Sequence, residues 1–412
     1  MRRLFLLLFI LTLFSPLTRA QTCNLNATTA NFATQIAAAN PGQTLCLATG
    51  NYGTWSGVTK TSPGVTITAA AGATPTITIA FYQPSSPIAA WLILDNLTIP
   101  SAQFSGAVNH ITVQNSTLTG STLFYANSGA TNNLCSSCPA MNNNVILFNN
   151  DLFNSTGDTG TGRFDAVLAG PTPAGVTLTN STFVGGCDDG INFDTGGYGF
   201  TIGPGNVFHD MLQGSCGNHI DPIQFIGSSS PGPVITGNYF YNNTTGIAAY
   251  DGANNAQINN NVIVNAVQDG LLVAGLDSSS VVEHNTVIGG DGIICGQTHE
   301  GNNCTATFRN NITKNFSVGG GTSVGQVPVY FDYNLCTAGS CAFGSNSAGA
   351  HSLNGTPTYV GGSSPATYAG YALTSTSLGH LAGSDGKDIG TNVSANTGSQ
   401  PAPPTGLTAA VQ

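Results

Sequence analysis

Charged residues are what this sequence has least of. Only 6% of its 412 residues are Asp, Glu, Lys or Arg, against roughly a quarter in ordinary soluble proteins. Cations are scarcest: eight Lys and Arg stand against eighteen Asp and Glu. Arg2, Arg3 and Arg19 lie in the first twenty residues, which leaves Lys60, Arg163, Arg309, Lys314 and Lys387 for the rest. So few cations cannot neutralise a row of phosphates, so no nucleic-acid partner is expected. Long apolar runs are missing too. After residues 4–14 none approaches the roughly 20 residues of a membrane span, and no span is expected. Disorder is also excluded, because a chain rich in Val, Ile and Phe is unlike the highly charged disordered class. What the sequence has in excess is Gly, with 53 residues, and Asn, with 41. Both suit tight turns, and long helices are hard to build from them.

The first twenty residues read as a secretory signal. Met1-Arg2-Arg3 is basic, an apolar stretch follows, and Ala20 is a small residue at the cleavage position. All ten Cys lie beyond it, and an even count in an exported chain implies disulfides. Order along the chain suggests the pairs Cys23/Cys46, Cys135/Cys138, Cys187/Cys216, Cys295/Cys304 and Cys336/Cys341, although spacing alone does not fix connectivity. Cys135-x-x-Cys138 is also the form of half a zinc site. No second such pair with matching His follows, so a structural role is favoured. The stretch from Cys295 to Cys304 would be a small closed loop carrying His299 and Glu300, and a surface loop is expected there before a metal site. The expected organisation is a signal peptide at 1–20, one domain at 21–395 and a Pro-rich, linker-like tail at 396–412. The mature chain is expected to be a monomer, extracellular or at the cell surface.

An internal repeat dominates the body. Short apolar strands end in Asn at Leu94-Asp95-Asn96, Val113-Gln114-Asn115, Phe148-Asn149-Asn150 and Leu178-Thr179-Asn180. The same element continues to Asn238, Asn261, Asn285 and Asn311. Between these lies a second element, headed by Asp165, Asp189, Asp221, Thr245, Asp269 and Asp291, with Gly or Pro after four of the five Asp. A period near 24 residues with two or three strands reads as an all-β solenoid, a parallel β-helix of about ten or more coils. Alternation points Ile191 and Phe193 inward and Asn192 and Asp194 outward. Asn at the bends is expected to bond Asn one coil away, because an unpaired buried amide would be costly. A short amphipathic helix near residues 28–40, with Phe32 and Ile36 inward, should close the first coil. Residues from Tyr371 onward should close the last.

These features resemble the secreted right-handed parallel β-helix proteins of the pectin-lyase-like superfamily. The residues that carry the likeness are Phe32, Ile36, Pro41-Gly42, Leu45, Leu47, Gly50 and Tyr52 near the start, the repeated Asn, and Asp388-Ile389-Gly390 near the end. The resemblance implies the fold. It does not select an activity, because the superfamily includes lyases, hydrolases, epimerases and non-catalytic surface proteins.

Chemistry is expected where charge concentrates. Five acidic residues, Asp188, Asp189, Asp194, Asp210 and Asp221, fall within residues 188–221, together with His209 and His219. That coil is also the long one, 32 residues from Asp189 to Asp221. The excess is a loop near 210–218 that Cys187 and Cys216 would staple. Asp188, Asp189, Asp194, His219 and Asp221 are therefore the candidate catalytic residues. Asn192, Gln224, Tyr250 and Arg163 are candidates for binding substrate. Asp188, Asp189 and Asp221 could hold Ca²⁺. An Asx turn is the bland explanation for the Asp column. The reading is an enzyme acting on an extracellular, acidic polysaccharide, foremost a lyase. An alternative is a polygalacturonase-like hydrolase, since the Asp188-Asp189 pair and His219 are similar to that family's paired Asp and downstream His. Against it, the family's Gly-His-Gly is Asn218-His219-Ile220 here, and its Arg-x-Lys has no counterpart. A C5-epimerase and a non-catalytic adhesin or glycan-binding module are the remaining alternatives.

Overall fold

The computed structural model describes residues 22–82, 88–125, 138–139, 141–154, 163–167, 173–193, 197–217, 219–225, 231–249, 254–295, 304–318, 329–339, 341–342 and 349–393. The expected signal segment, the tail, Cys135, Asp194 and Tyr250 lie outside them. Among the described residues no helix is long and apolar enough to cross a membrane.

The chain winds into stacked coils of short parallel strands on three faces. The first face has thirteen strands, from Leu25–Ala27 to Tyr330–Asp332. The second runs from Thr98–Ile99 to Leu353–Asn354 and the third from Ala102–Ser105 to Phe316–Val318, and both continue the longer strands Gly50–Trp55 and Pro75–Phe81. Each strand pairs with the equivalent strand one coil away, as Ile191 does with Ile223 and Ile223 with Ile247. Alternation is as expected: Ile191 and Phe193 are fully buried, and Asn192 between them is half-buried. Inside the second face four Phe stack in register, with ring centroids 4.3 Å apart for Phe153–Phe183 and 4.7 Å for Phe183–Phe208 and Phe208–Phe240. No coil could bury such rings alone, so each stabilises its neighbours.

The Asn bends resolve into two columns. Asn96, Asn115, Asn150, Asn180, Asn260, His284 and Asn310 adopt left-handed backbone with φ between 52° and 58°, which Asn tolerates better than most residues. The buried ladder lies one residue later. It runs Ser116, Asp151, Ser181, Asn206, Asn238, Asn261, Asn285, Asn311 and Asn334, each accepting a backbone N–H from the preceding coil at 2.8–3.1 Å where the link is made by Asp151, Ser181, Asn206, Asn261, Asn285, Asn311 or Asn334. From Asn206 onward the amides also donate to one another, as Asn206 does to Asn238 at 2.9 Å. The expectation for Asn96, Asn115, Asn150 and Asn180 holds in part: they make the turn and Ser or Asp fills the buried ladder beside three of them, yet Asn150 Nδ2 donates to Asn115 Oδ1 at 2.7 Å and Asn180 Nδ2 to Asn149 Oδ1 at 2.9 Å, each one coil away.

Four of the expected cysteine pairs are disulfides among the described residues: Cys23–Cys46, Cys187–Cys216, Cys295–Cys304 and Cys336–Cys341. The partner expected for Cys138 lies outside those residues. The loop expected between Cys295 and Cys304, with His299 and Glu300, lies outside the described residues, which show only its two ends. Cys304 is fully buried and Cys295 nearly so, and both pack in the solenoid core. The ends of that loop are therefore anchored inside the coil, because a disulfide sulfur is apolar enough to serve as core. Cys341 is likewise fully buried beside Cys336 in the same core, and its N–H donates to Asn354 Oδ1 at 2.9 Å. These two bridges are structural, and neither Cys304 nor Cys341 belongs to the candidate site described below.

At the N-terminal end the helix Phe32–Ala38 buries Phe32 and Ile36 over the first coil. Lys60 Nζ donates to the carbonyls of Ala37 and Ala39 at its C-terminal end, and Cys23–Cys46 ties the strand before it to the next coil. At the other end the expectation of a cap over the last coil is corrected. Residues 355–393 turn back along the outside of the second face. Tyr359, Tyr368, Tyr371, Leu373 and Ile389 pack there on Tyr239, Val262, Ile312 and Leu335. The Tyr368 hydroxyl donates to the Asn260 carbonyl at 2.7 Å, and Asn392 N–H donates to Asn260 Oδ1 at 3.0 Å.

Candidate active site

The long coil carries the insertion where the sequence puts it, and the loop is held at its base. Met211 N–H donates to Asn243 Oδ1 at 3.0 Å, Gln213 N–H donates to Thr244 Oγ1 at 2.7 Å, and Cys187–Cys216 closes the side. Beyond the loop, Ile220 is fully buried. That anchor turns His219 outward and the Asp221 side chain into the corner between the second and third faces.

Asp189 and Asp221 occupy equivalent positions in adjacent coils, two residues before Ile191 and Ile223. Asp189 Oδ1 accepts the Asp221 N–H at 2.7 Å, and Asp189 Oδ2 accepts from Asn192 Nδ2 at 3.0 Å. This carboxylate therefore reaches the next coil and does not close a local Asx turn. Gly190, which follows, has a different reason to be Gly. A Cβ there would lie 2.4 Å from the Pro222 carbonyl oxygen of the next coil. Asp221 is fully buried, takes the Thr245 hydroxyl on Oδ1 and faces His219 Nδ1 at 2.8 Å through Oδ2. His219 has a side chain 42% exposed.

The electrostatics follow from this burial. Loss of solvation, with Asp221 nearby, pushes the Asp189 carboxyl up to about 7, against the pull of its hydrogen bonds. The hydrogen bond to Asp221 holds the His219 imidazolium above the usual histidine range. Along the same column Asp269 is half-buried and raised by burial and by Asp291. Asn192 Nδ2 also donates to Gln224 Oε1 at 3.3 Å, so the two outward amides of adjacent coils form a pair beside Asp189.

The structure thus brings together Asp189, His219, Asp221, Asn192 and Gln224. Other expected members lie elsewhere. Arg163 is only 1% exposed and gives its guanidinium to the carbonyls of Gly185 and Asp188. It pins the backbone ahead of Asp189, and the expectation that it binds substrate is corrected. Burial lowers it to about 10. The Asp188 side chain is buried. Asp165 pairs with Asn192, three positions away from the Asp189 column, so it does not share that column. Thr245 was visible in the repeat only as a break in the run of Asp. Its hydroxyl is what fills the space beside Asp221.

Asp189, His219 and Asp221 offer ligand atoms within 4.8 Å of one another, so the described residues contain a metal-competent group. Its donor set does not suit Ca²⁺, which takes six to eight oxygens. One of the three donors is an imidazole nitrogen, and the carboxylate oxygens already hold Asp221 N–H, Asn192, Thr245 and His219. The expected Asp188–Asp189–Asp221 calcium site is not formed, because Asp188 is not a member of the group.

Residues 166–358 match the family model described as right handed beta helix region. The chain folds as a right-handed parallel β-helix. None of the curated proteins matches it by sequence. Among solved structures, this β-helix is similar to a pectate lyase at 16% identity, over 88% of this chain and 90% of that one, with a TM-score of 0.37. It is also similar to a PL6-family polysaccharide lyase from Pseudopedobacter saltans at 14% identity, over 89% of this chain and 99% of that one, with a TM-score of 0.46. A PL6-family alginate lyase aligns at 14% identity, over 85% of this chain and 57% of that one, with a TM-score of 0.34.

Proposed function

We propose that this β-helix protein is a secreted polysaccharide lyase that acts on a uronate-containing glycan, with His219 as the base. The observation that carries the reading is a half-exposed imidazole fixed by a fully buried carboxylate on a rigid wall. In the tautomer that donates Nδ1–H to Asp221, the lone pair sits on Nε2 and faces away from the carboxylate. His219 Nε2 takes the C5 proton of a bound uronate, and Asp221, a positioning residue, stabilises the imidazolium that forms. Charge that develops on the uronate carboxyl is met by the Gln224 amide, which its bond to Asn192 orients. Asp189 in its neutral form completes the hydrogen-bond frame without adding a second negative charge. Four disulfides among the described residues support export.

The hydrolase reading has less support. Glycosidase carboxylates stand about 5–9.5 Å apart, and both reach the sugar. Here Asp189 and Asp221 offer oxygens within 4.8 Å of each other and both are buried. The adhesin reading accounts for neither the His219–Asp221 contact nor the stapled loop. The mature protein should generate the ultraviolet absorbance of unsaturated uronates from uronate polysaccharides, unaffected by EDTA. His219→Ala should lower that rate by at least about 100-fold at an unchanged melting temperature. New reducing ends without absorbance would reassign the site to hydrolysis.

A further inference from the structure

The column that holds Asp189 and Asp221 changes sign further along the molecule. Two residues before successive third-face strands it runs Asp221, Thr245, Asp269, Asp291 and then Lys314. Lys314 therefore stands four coils from Asp221, roughly 19 Å at the usual strand spacing. Beyond it the next coil passes through small residues, and Ala338 N–H donates to the Lys314 carbonyl at 2.9 Å. A cavity of about 530 Å³ opens there, lined by Asp291, Lys314, Asn315, Phe316, Ala338 and Ala342. Pockets for small ligands usually span roughly 300–1,000 Å³. The Cys336–Cys341 bridge and the bond from Cys341 N–H to Asn354 Oδ1 fix the segment that carries Ala338.

The lining has the chemistry of a sugar site. Lys314 is exposed, and its ammonium is steadied by the Gly290 carbonyl at 2.9 Å, which takes one of three donors. Other cations are engaged elsewhere: Arg309 with Glu283, Lys387 with Asp385, and Lys60 with the carbonyls behind the N-terminal helix. Asp291 is exposed and supplies acceptors. Phe316, Ala338 and Ala342 supply an apolar floor.

We propose that this cavity binds one uronate residue of an acidic glycan, with the Lys314 ammonium on the sugar carboxylate. Asp291 accepts from ring hydroxyls, the Asn315 amide adds a further polar contact, and ring C–H groups face the apolar floor. The proposal rests on the lyase reading for the identity of the sugar, but binding itself needs no His219. In a protein whose acidic residues outnumber its basic ones eighteen to eight, a fixed ammonium gives a polyanion a point of attachment. A polymer held there is kept at high effective concentration near His219.

The test is calorimetric binding to the full mature chain carrying His219→Ala, which removes turnover. The probes are trigalacturonate and trimannuronate, with cellotriose as the uncharged control. At least one acidic trisaccharide should bind. Adding Lys314→Met should weaken one binding event at least about tenfold, the loss expected for a hydrogen bond to a charged group, at an unchanged melting temperature. Ala338→Phe keeps every charge and fills the cavity, and it should weaken the same event. Undiminished binding in both variants would overturn the proposal, as would failure of both acidic probes to bind. Cellotriose bound as tightly, and lost equally with Lys314→Met, would also overturn it, because the carboxylate would not be what is recognised. The two readings fail separately. Lys314-dependent binding without unsaturated-uronate absorbance from the protein with His219 intact would remove the lyase and leave the sugar site. Absorbance without Lys314-dependent binding would do the reverse.

Discussion

Asp189 illustrates how burial sets chemistry at a single residue. An unfolded Asp ionises near 3.9, and the folded side chain ionises near 7. The sign follows directly. Below about pH 4 both states are protonated and nothing is lost. Between about 4 and 7 the unfolded chain gives up its proton first, so the fold weakens as pH rises. The full effect is on the order of 4 kcal/mol. Asp189→Asn removes the charge and keeps an acceptor for Asp221 N–H. The Asn192 amide can turn over, so that its Oδ1, which has no partner among the described residues, accepts the new N–H. The variant should melt several degrees above wild type at pH 8, and the gap should close by pH 4. Equal melting at both pH values would rule out the raised carboxyl. The sequence marked Asp189 through charge clustering, its place at the head of the repeat and the Asp188-Asp189 pair. The repeat already puts Asp221 one coil from Asp189 across 32 positions, but it does not show that the carboxylate takes the Asp221 backbone N–H, because the period gives strand register and not side-chain direction at a bend.

At the scale of elements, the repeat was legible because both strand alternation and coil period leave regular marks. Ile191, Phe193, Ile223 and Phe225 lie inward as expected. The column of strand heads was nearly right, and Asp165 was misplaced because coils of unequal length hide the register. Arg163 was misjudged for a related reason: a scarce cation in an acid-rich region reads as a substrate ligand, yet its nearest acceptors are backbone carbonyls. Cysteine order gave the pairing of Cys304 and Cys341 but not their depth, because burial depends on which coil face each sulfur meets. The stapled loop was foreseen from Cys187 and Cys216, and it yields a prediction. A crosslink over 29 residues stabilises by about 3.6 kcal/mol in the chain-entropy model. Its removal should also free the segment that delivers His219. The Cys187→Ser, Cys216→Ser double variant should lose kcat more than it raises KM. Cleavage by protease should appear between residues 210 and 218 while the rest of the solenoid stays intact. Unchanged kcat together with resistance to protease would show that Asn243 and Thr244 alone hold the loop.

At the scale of the whole molecule, the C-terminal segment changes how a stack of repeats should unfold. In a bare solenoid each coil touches only its neighbours, so terminal coils fray and stability is close to a sum of local terms. Here residues 355–393 cross several coils. Tyr368 bonds Asn260, His284 Nδ1 lies 3.1 Å from the Asp388 carbonyl, and Ser384 N–H donates to Asn310 Oδ1 at 2.8 Å. Asn260, His284 and Asn310 are turn residues of three successive coils, so the strap couples them as one unit. Beneath it, Val262, Ile312 and Leu335 face outward yet are fully buried. A chain ending at Asn354 would expose them, at roughly 1.5–3 kcal/mol per large apolar side chain. Hydrogen exchange should then show lost protection at residues 257–264, 281–288 and 307–313. Protection at residues 44–47 and 65–69, near the N-terminal helix, should persist. The full chain should unfold in a single transition, and that of the shortened chain should split or broaden. If the shortened chain keeps one sharp transition and full protection around Val262, the coils hold together without the strap and local stacking carries the C-terminal half by itself.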